Sequence, residues 1–288
     1  MFSRPALVAS LLLCAYLAIP CLPLCAQQAS PPSAAHTLLL PKRIVAGETA
    51  TLAVLDVSGR LTPGVTVNFS NGDHVVTNAT GRALFAAPTT SGVIYAVVSS
   101  HSARVYTTIL TPAEAVPAST QVASSPRFAS LADRFELAGG SFCGQADANA
   151  VRVAGKPALV LASSPVVLIA LPPSELEPGP TEIEVSCAKR PVSRFSVTFL
   201  DLSLQADSSP LTPGEHRTLT VNVRGTKAKV PLEARNLSPN VAELAGGDPA
   251  RVSSGGGAEN VARFELIGRA RGNFAVSVRL VPTTPQRQ

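Results

Sequence analysis

The sequence of 288 residues contains no tryptophan, and aromatic residues make up only 5% of it. Any buried core must therefore be built mainly from Val, Leu, Ile and Ala. Stacking on sugars requires exposed planar aromatics, so this shortage argues against carbohydrate binding. Proline (25 residues) and glycine (20 residues) are frequent and spread along the chain, which favours many short strands and turns over long helices.

Motifs for metal-dependent chemistry are missing. The four histidines are His36, His74, His101 and His216, and none has a metal-ligand spacing such as HExxH. A zinc site made from His74 and His101 would need a further ligand, for which Asp73 is the nearest candidate. The acidic residues Glu175, Glu177, Glu182 and Glu184 lack the spacing of a calcium loop and are interpreted as a solvated rim. We therefore predict neither a metal ion nor a cofactor.

Motifs for covalent catalysis and nucleic-acid binding are also missing. The stretch ELAGGSFCG, residues 136–144, places Ser141 two residues before Cys143, but the second glycine of a G-x-S-x-G elbow is absent. The surrounding segment has no histidine that could activate the cysteine. The net charge is +5, yet basic residues are scattered singly among acidic ones, which does not favour nucleic acid. We predict a protein that is not an enzyme.

The N-terminal segment has the pattern of a secretory signal. Residues 1–26 combine Arg4 with an apolar stretch that Pro20 and Pro23 interrupt. No second apolar run approaches the roughly 18–20 residues needed to span a bilayer, so no transmembrane span is expected in the mature chain. The protein is therefore expected to be exported, to the periplasm or the cell surface.

Two cleavage sites compete in this segment. Cleavage before Gln27 follows the sequence LCA and would release a soluble chain. The sequence LPLC, which ends at Cys25, resembles a bacterial lipobox, and its use would make Cys25 a lipid anchor. Both alternatives stay open.

The mature chain retains two cysteines, Cys143 and Cys187, because the other three fall within the signal segment. An even number of cysteines in an exported protein predicts a disulfide, since the compartment is oxidising. Closing a loop of this length would stabilise the fold by ~4 kcal/mol on the chain-entropy model.

Alternation of apolar and polar residues predicts strands throughout the mature chain. In GVTVNF the apolar positions are Val65, Val67 and Phe69, and HRTLTVNVRG has the same period of two. Such runs, separated by turn residues, are typical of a β-sandwich. The predicted organisation is a signal peptide (1–26), a flexible lead-in (27–36), a first domain (37–110), a Pro/Ala/Ser linker (111–126), a second domain (127–201), a third domain (202–282) and a disordered tail (283–288). One apolar strand runs across the boundary near residue 201.

Two segments resemble known families. Residues 46–98, with the elements AGE, SGRLTPGVTVNF and TNATGRALF, resemble the bacterial immunoglobulin-like repeats of invasin-type surface proteins. Residues 133–187 resemble the IPT/TIG domain. The positions that carry the second resemblance are Gly140, Phe142, Asn149, Val151, Val153, Gly155, Ala158, Pro172, Pro178 and Gly179. The resemblance implies that Phe142 is a buried plug and that a disulfide staples the sandwich.

These observations predict an all-β protein of three serial immunoglobulin-like β-sandwich domains after a signal peptide. The expected role is non-catalytic, as a binding or spacer protein of the bacterial envelope or cell surface that contacts an unknown protein or glycan. A carbohydrate-binding accessory module and a structural part of an envelope or secretion assembly are the alternatives. The candidate recognition loops are residues 71–74, 174–180 and 253–260, the last of which is expected to be a flexible hairpin loop.

Overall fold

The structure is a computed structural model that describes residues 36–99, 102–115, 124–139, 142–188, 192–281 and 286–287. Within these ranges the regular structure consists of 24 β-strands, one short 3₁₀ helix and one helical turn. This confirms the prediction of an all-β fold. No helix among the described residues is long and apolar enough to cross a membrane. The predicted signal peptide, including Cys25, lies outside these residues, so its cleavage and lipidation stay predictions.

The first region of the chain packs two sheets around one apolar core. Its strands are β1 Thr37–Leu39, β2 Arg43–Val45, β3 Thr49–Leu55, β4 Thr66–Phe69, β5 His74–Val76, β6 Arg82–Ala86, β7 Gly92–Val97 and β8 Val105–Leu110. β3 pairs with β1 and β6, and the other sheet has the order β2-β8-β7-β4-β5. Burial alternates in β4, where Val67 and Phe69 face the core. The ring of Phe69 stacks on that of Phe85 at a centroid distance of 4.0 Å.

The second region continues the sheet of β3. Its strands are β9 Ser124–Ser125, β10 Phe128–Ser130, β11 Phe135–Ala138, β12 Asn149–Val153, β13 Lys156–Pro157, β14 Leu159–Ser163, β15 Val167–Leu171 and β16 Gly179–Cys187, with the 3₁₀ helix Ala146–Ala148 before β12. β14, β15, β11 and β9 follow β3 in one sheet, and β13, β12 and β16 lie in another. Phe142 is fully buried, as predicted, and its ring centroid lies 6.0 Å from that of Phe195.

The third region places a small sheet against a larger one. Its strands are β17 Ser193–Gln205, β18 His216–Arg224, β19 Pro231–Asn236, β20 Ala242–Leu244, β21 Ala250–Ser253, β22 Val261–Gly268 and β23 Val276–Leu280. The small sheet has the order β21-β19-β23, and the core between the two sheets includes Leu219, Leu232 and Phe264. In the predicted disordered tail, a short strand β24 (Gln286–Arg287) pairs with β9.

One long strand joins the second region to the third. Residues 193–199 of β17 pair with β16, and residues 201–205 pair with β18. No loop separates these two halves, so the backbone ladder passes directly through residue 201. The described residues from 36 onward belong to one compact unit. The division into three domains with the boundaries given above stays a prediction.

The first and second regions share both a sheet and an apolar cluster. Ser163 of β14 pairs with Thr51 of β3, so the sheet runs from one region into the other. Buried apolar side chains from both regions, together with the helical turn between them, form a junction cluster that consists of Leu39, Val45, Ala53, Leu55, Ala115, Leu161, Ala162, Val166, Val167 and Ile169. Burying such surface stabilises by roughly 25 cal/mol per Å². The cluster therefore holds the two regions together.

A turn of the second region, residues 143–146, docks against β3 and is called the docking turn here. The hydroxyl of Thr51 donates to the carbonyl oxygen of Gly144 at 2.8 Å and accepts a hydrogen bond from the backbone N–H of Ala146 at 2.9 Å. A Cβ atom on Gly144 would lie 1.7 Å from the carbonyl oxygen of Thr49. The close approach therefore requires glycine, which has no Cβ.

The disulfide and one asparagine hold the docking turn. Cys143 is bonded to Cys187 with a Cα–Cα distance of 5.6 Å, which confirms the predicted pairing. Asn149, which lies opposite Cys187 in the β12–β16 ladder, accepts a hydrogen bond from the N–H of Cys143 at 2.8 Å and donates to its carbonyl oxygen at 2.9 Å. The sulfur of Cys143 is thus part of a staple and is not a free nucleophile. Gly140 and Ser141 lie outside the described residues.

The predicted linker at residues 111–126 is ordered at both ends. Thr111 and Glu114 form a capping box, in which the Glu114 carboxylate accepts from the Thr111 N–H at 2.8 Å and the Thr111 hydroxyl accepts from the Glu114 N–H at 3.2 Å. The helical turn at residues 112–115 buries Ala115 in the junction cluster. β9 occupies the other end, and residues 116–123 lie outside the described part of the chain.

The loop at residues 253–260 differs from the expected flexible hairpin. It connects β21 to β22, which lie in different sheets, so it crosses from one side of the core to the other. Asn260 is buried, and its amide donates to the carbonyl oxygens of Thr226 at 3.1 Å and Ala228 at 2.8 Å and accepts from the N–H of Gly256 at 2.9 Å. The hairpin prediction is wrong because alternation along the chain does not show which strands pair.

Candidate binding groove

A groove of about 810 Å³ is lined by all three regions of the chain. The first region contributes Leu38, Leu39, Leu40, Lys42, Val105 and Tyr106; the second contributes most of the residues between Ser125 and Ala138, with Ile169; and the third contributes Leu202 and residues 277–281. Because each region supplies part of the lining, the groove exists only while both junctions hold.

Three strands in this lining are edges of their sheets. Among the described strands, β1 pairs only with β3, and β23 pairs only with β19. β10 pairs only with β17, in the parallel direction. An edge strand presents backbone N–H and C=O groups without a strand partner. The groove therefore offers main-chain hydrogen-bonding groups from three directions.

The ladder of β23 shows which of its backbone groups face the free edge. Just after β23, the N–H of Val281 donates to the carbonyl oxygen of Pro231 at 3.0 Å. Just before β23, the carbonyl oxygen of Ala275 accepts from the N–H of Leu237 at 2.9 Å. The direction of these groups alternates along an antiparallel strand. The residues whose N–H and C=O face β19 are Ser277 and Arg279, and those that face the free edge are Val276, Val278 and Leu280.

The second region supplies a fixed apolar wall with charges at its rim. The ring of Phe135 packs edge-to-face on that of Phe199 at a centroid distance of 5.5 Å, which holds its orientation. At the rim, the ammonium group of Lys42 lies 3.0 Å from the carboxylate of Glu136. The wall is thus built in advance of any ligand.

A row of alternating charges crosses the outer face of the small sheet. Glu233 on β19 lies opposite Arg251 on β21 and opposite Arg279 on β23. Its carboxylate accepts a hydrogen bond from Nη2 of Arg279 at 2.6 Å and lies 3.0 Å from Nη2 of Arg251. Arg235, two residues further along β19, makes a third contact at 3.2 Å. Three guanidinium groups thus surround one carboxylate.

Burial separates the members of this row. The side chain of Glu233 is 2% exposed, whereas those of Arg235, Arg251 and Arg279 are 51%, 66% and 50% exposed. Hydrogen bonds from Arg279, and then from Arg235 and Arg251, lower the pKa of Glu233 to about 2, against the opposing effect of burial. Glu233 therefore stays ionised and orients the arginines that surround it.

The two tyrosines of the described chain lie side by side. Tyr95 on β7 is directly opposite Tyr106 on β8, and their rings meet edge-on at a centroid distance of 5.7 Å. The guanidinium carbon of Arg104 lies 4.8 Å from the ring centroid of Tyr95. Tyr106 is 55% exposed and lines the groove. Composition counts aromatics without showing which of them meet, so the sequence did not predict this pair.

The predicted recognition loops lie elsewhere. Residues 71–74, 174–180 and 253–260 are all described, and none of them contributes to the groove. Exposure and length favour these loops, whereas the groove arises from strands that are distant in the chain.

Residues considered for metal binding are not brought together in the described part of the chain. There, no group of three or more His, Cys, Asp or Glu residues is placed to hold a metal ion. His74 is exposed on β5, and His101 lies outside the described residues. Glu182 and Glu184 both contact Arg194, at 3.3 Å and 3.0 Å. These two carboxylates form exposed ion pairs on the surface of the sheet.

No protein-family model and no curated protein matches the sequence. Among solved structures, the chain resembles SGBP-B from the mixed-linkage glucan utilization locus of Bacteroides ovatus, in complex with a mixed-linkage heptasaccharide (13% identity, 83% of this chain, 72% of that chain, TM-score 0.35). It also resembles domains 4 and 5 of the S-layer protein SbsC (12%, 83%, 94%, 0.21) and the insect immune protein hemolin (14%, 80%, 75%, 0.26). At these TM-scores the likenesses carry no argument about function. The resemblances to invasin-type repeats and to IPT/TIG domains stay predictions.

Proposed function

We propose that the protein is an exported, non-catalytic binding protein that holds an extended segment of a partner polypeptide in its groove. One observation supports this most directly: β1, β10 and β23, which each pair with one strand only among those the structure describes, line the same groove. An extended polypeptide satisfies such an edge by main-chain hydrogen bonds and adds a strand to the sheet. At β23 it would pair with the free N–H and C=O groups of Val276, Val278 and Leu280.

The construction of the groove favours binding over a spacer role. A spacer needs only serial domains, whereas this groove depends on residues from all three regions. Its walls are held by the junction cluster and by β17, so little ordering is required when a ligand enters, and such preorganisation favours affinity. The signal-like segment at residues 1–26 supports export, with the periplasm or cell surface as the proposed location and Cys25 as the proposed site of any lipid anchor.

The test uses a phage-displayed library of random dodecapeptides, selected on the whole mature protein. The selected peptides are then measured against the variant Val278→Pro. Proline removes the N–H that faces the free edge and leaves the ladder to β19 intact, as is usual for proline on an edge strand. We expect affinity to fall at least about fivefold, because main-chain hydrogen bonds to the peptide are lost.

The matched control is Val76→Pro on β5. Val76 lies on β5, which is also a sheet edge. The N–H of the next residue, Thr77, donates to the carbonyl oxygen of Val65 at 3.0 Å on the paired side, so the N–H of Val76 faces the free side. Val76 does not line the groove, so this variant should bind the selected peptides like the unmodified protein. Amide hydrogen exchange at Val278 and Leu280 should slow when peptide is bound. Equal binding by Val278→Pro, or a selection that enriches no peptide, would contradict the proposal.

A second candidate function is carbohydrate binding, which the contact between exposed Tyr106 and half-buried Tyr95 favours. The apolar face of a sugar ring packs on an aromatic face, and Arg104 beside the pair can donate hydrogen bonds to hydroxyl groups. Affinity electrophoresis in a panel of soluble polysaccharides tests this. Carbohydrate binding predicts retardation that falls about fivefold in Tyr106→Ala and persists in Tyr106→Phe. Migration that no polysaccharide changes would remove this candidate.

A further inference from the structure

The row of charges on the small sheet ends at the groove. Across three neighbouring strands it runs positive, negative, positive, through Arg251, Glu233 and Arg279. Opposite charges on directly facing residues stabilise neighbouring strands, and like charges destabilise them. Arg279 closes the row on β23, lines the groove and is half exposed. On a strand added beside β23, the position that faces Arg279 is therefore electrostatically suited to a carboxylate.

The balance of charges around Arg279 also favours an added carboxylate. Glu233 provides one negative charge to three arginines. Glu233 uses Nε and Nη2 of Arg279, whereas a guanidinium group carries five N–H donors. Arg279 can therefore donate to a second carboxylate without releasing the first.

Strand geometry places that carboxylate. The backbone groups of Arg279 face β19, so its pair with an added antiparallel strand would be of the non-hydrogen-bonded type. In such pairs the Cα atoms are about 4.5 Å apart and the side chains approach most closely. The neighbouring positions of the added strand would pair with Val278 and Leu280 and turn towards the apolar lining around Phe128 and Leu202.

We propose that the polypeptide segment held by β23 is acidic, with Asp or Glu beside Arg279 alternating with apolar residues on the groove side. This inference rests on the proposed function, because it names the chemistry of the segment that the groove binds. It is based on charge complementarity with the row of Arg251, Glu233 and Arg279, and on the alternation of side chains between the two faces of a strand.

Three synthetic peptides test the proposal. They share their apolar residues and differ only at the alternate positions, which are all Glu, all Gln or all Lys, and each is N-methylated along one edge so that it does not self-associate. Fluorescence anisotropy measures their binding to the whole mature protein. We expect the Glu peptide to bind about three- to fivefold more tightly than the Gln peptide and the Lys peptide to bind most weakly. This preference should shrink in about 0.5 M salt, where exposed charges are screened.

The variant Arg279→Gln identifies the residue responsible. It should bind the Glu and Gln peptides equally, and circular dichroism should show that it remains folded. Arg263→Gln is the matched control, because Arg263 is an exposed strand arginine on β22 that does not line the groove and its replacement changes the net charge equally. This control should keep the preference for the Glu peptide.

The outcomes separate this inference from the function on which it rests. Equal binding of the three peptides, or an unchanged preference in Arg279→Gln, would overturn the acidic preference. The groove would keep its proposed function in that case if Val278→Pro still weakened peptide binding. If none of the three peptides bound and the library also yielded none, the polypeptide-binding function itself would be overturned, and the acidic preference with it.

Discussion

The two junctions of this chain are built in opposite ways. The first region is joined to the second by contacts between distant residues, in which Thr51 of β3 meets Gly144 of the docking turn 93 positions later. The second region is joined to the third by β17, which continues through residue 201 without a break. A junction made of tertiary contacts depends on a few specific residues, whereas a continuous strand depends on backbone hydrogen bonds that many side chains permit. Sensitivity to substitution should therefore concentrate at the first junction.

The largest effect is expected from removing the disulfide that holds the docking turn. The double substitution Cys143→Ser and Cys187→Ser should lower the free energy of unfolding by ~4 kcal/mol, because it opens a loop that spans 44 positions. Urea denaturation of the oxidised protein and of the variant measures the difference. A loss below about 1 kcal/mol would mean that the staple contributes little to the first junction.

A smaller loss is expected when the docking turn is crowded. Gly144→Ala places a Cβ within 1.7 Å of the carbonyl oxygen of Thr49 unless the backbone moves, and overpacking of this kind costs about 1–3 kcal/mol. The control is Gly255→Ala, because a Cβ there meets nothing closer than 3.7 Å. Its stability should stay within about 0.5 kcal/mol of the unmodified protein. Equal effects of the two substitutions in urea denaturation would contradict the close docking.

Each junction has an ion pair, and the two pairs differ in burial. At the first, Asp147 lies 2.7 Å from Nη1 of Arg82, whose side chain is only 8% exposed. At the second, Asp201 lies 3.3 Å from Arg224, and both are well exposed. Asp147→Asn should lower the free energy of unfolding by about 1 kcal/mol, because the buried guanidinium of Arg82 loses its charged partner. Asp201→Asn should change this free energy by close to nothing. A double-mutant cycle with each arginine measures the coupling, and equal coupling energies would contradict the contrast.

The charge row of the third region, far from the docking turn, is expected to show its effect in the pH dependence of stability. The pKa of Glu233 in the folded protein is about 2, below the ordinary value of 4.5. The stabilisation linked to this shift is complete above pH 4.5 and is lost as the pH falls from 4.5 towards 2. Glu233→Gln should therefore lose less stability than the unmodified protein between pH 5 and about pH 3, as measured by urea denaturation at each pH. If the free energy of unfolding falls equally steeply with pH in both proteins, the carboxylate is not held by its arginines.

Features that depend on local pattern could be predicted from the sequence. The alternation in segments such as GVTVNF predicted an all-β fold, and the continuous apolar pattern around residue 201 indicated a strand without a break. The two cysteines expected to remain in the mature chain predicted the pair Cys143–Cys187. The sequence TPAE also carries the local pattern of the capping box that Thr111 and Glu114 form.

Features that depend on strand pairing could not be predicted. The contact between Gly144 and β3 requires two strands that are distant in the chain to share a sheet. The edges that line the groove follow from the order of strands in each sheet, and alternation does not specify that order. The charge row likewise requires the register that places Glu233 opposite Arg279, 46 positions later. The candidate site therefore became visible only in the folded chain.

Backbone N–H residual dipolar couplings in weakly aligned samples test the central claim most directly. The claim is that the docking turn holds the first region as rigidly as β17 holds the third, so that the groove is formed before any ligand binds. We expect one alignment tensor to fit the couplings from all three regions. A separate tensor of smaller magnitude for residues 37–110 would show that the first region moves independently, and it would contradict a preformed groove.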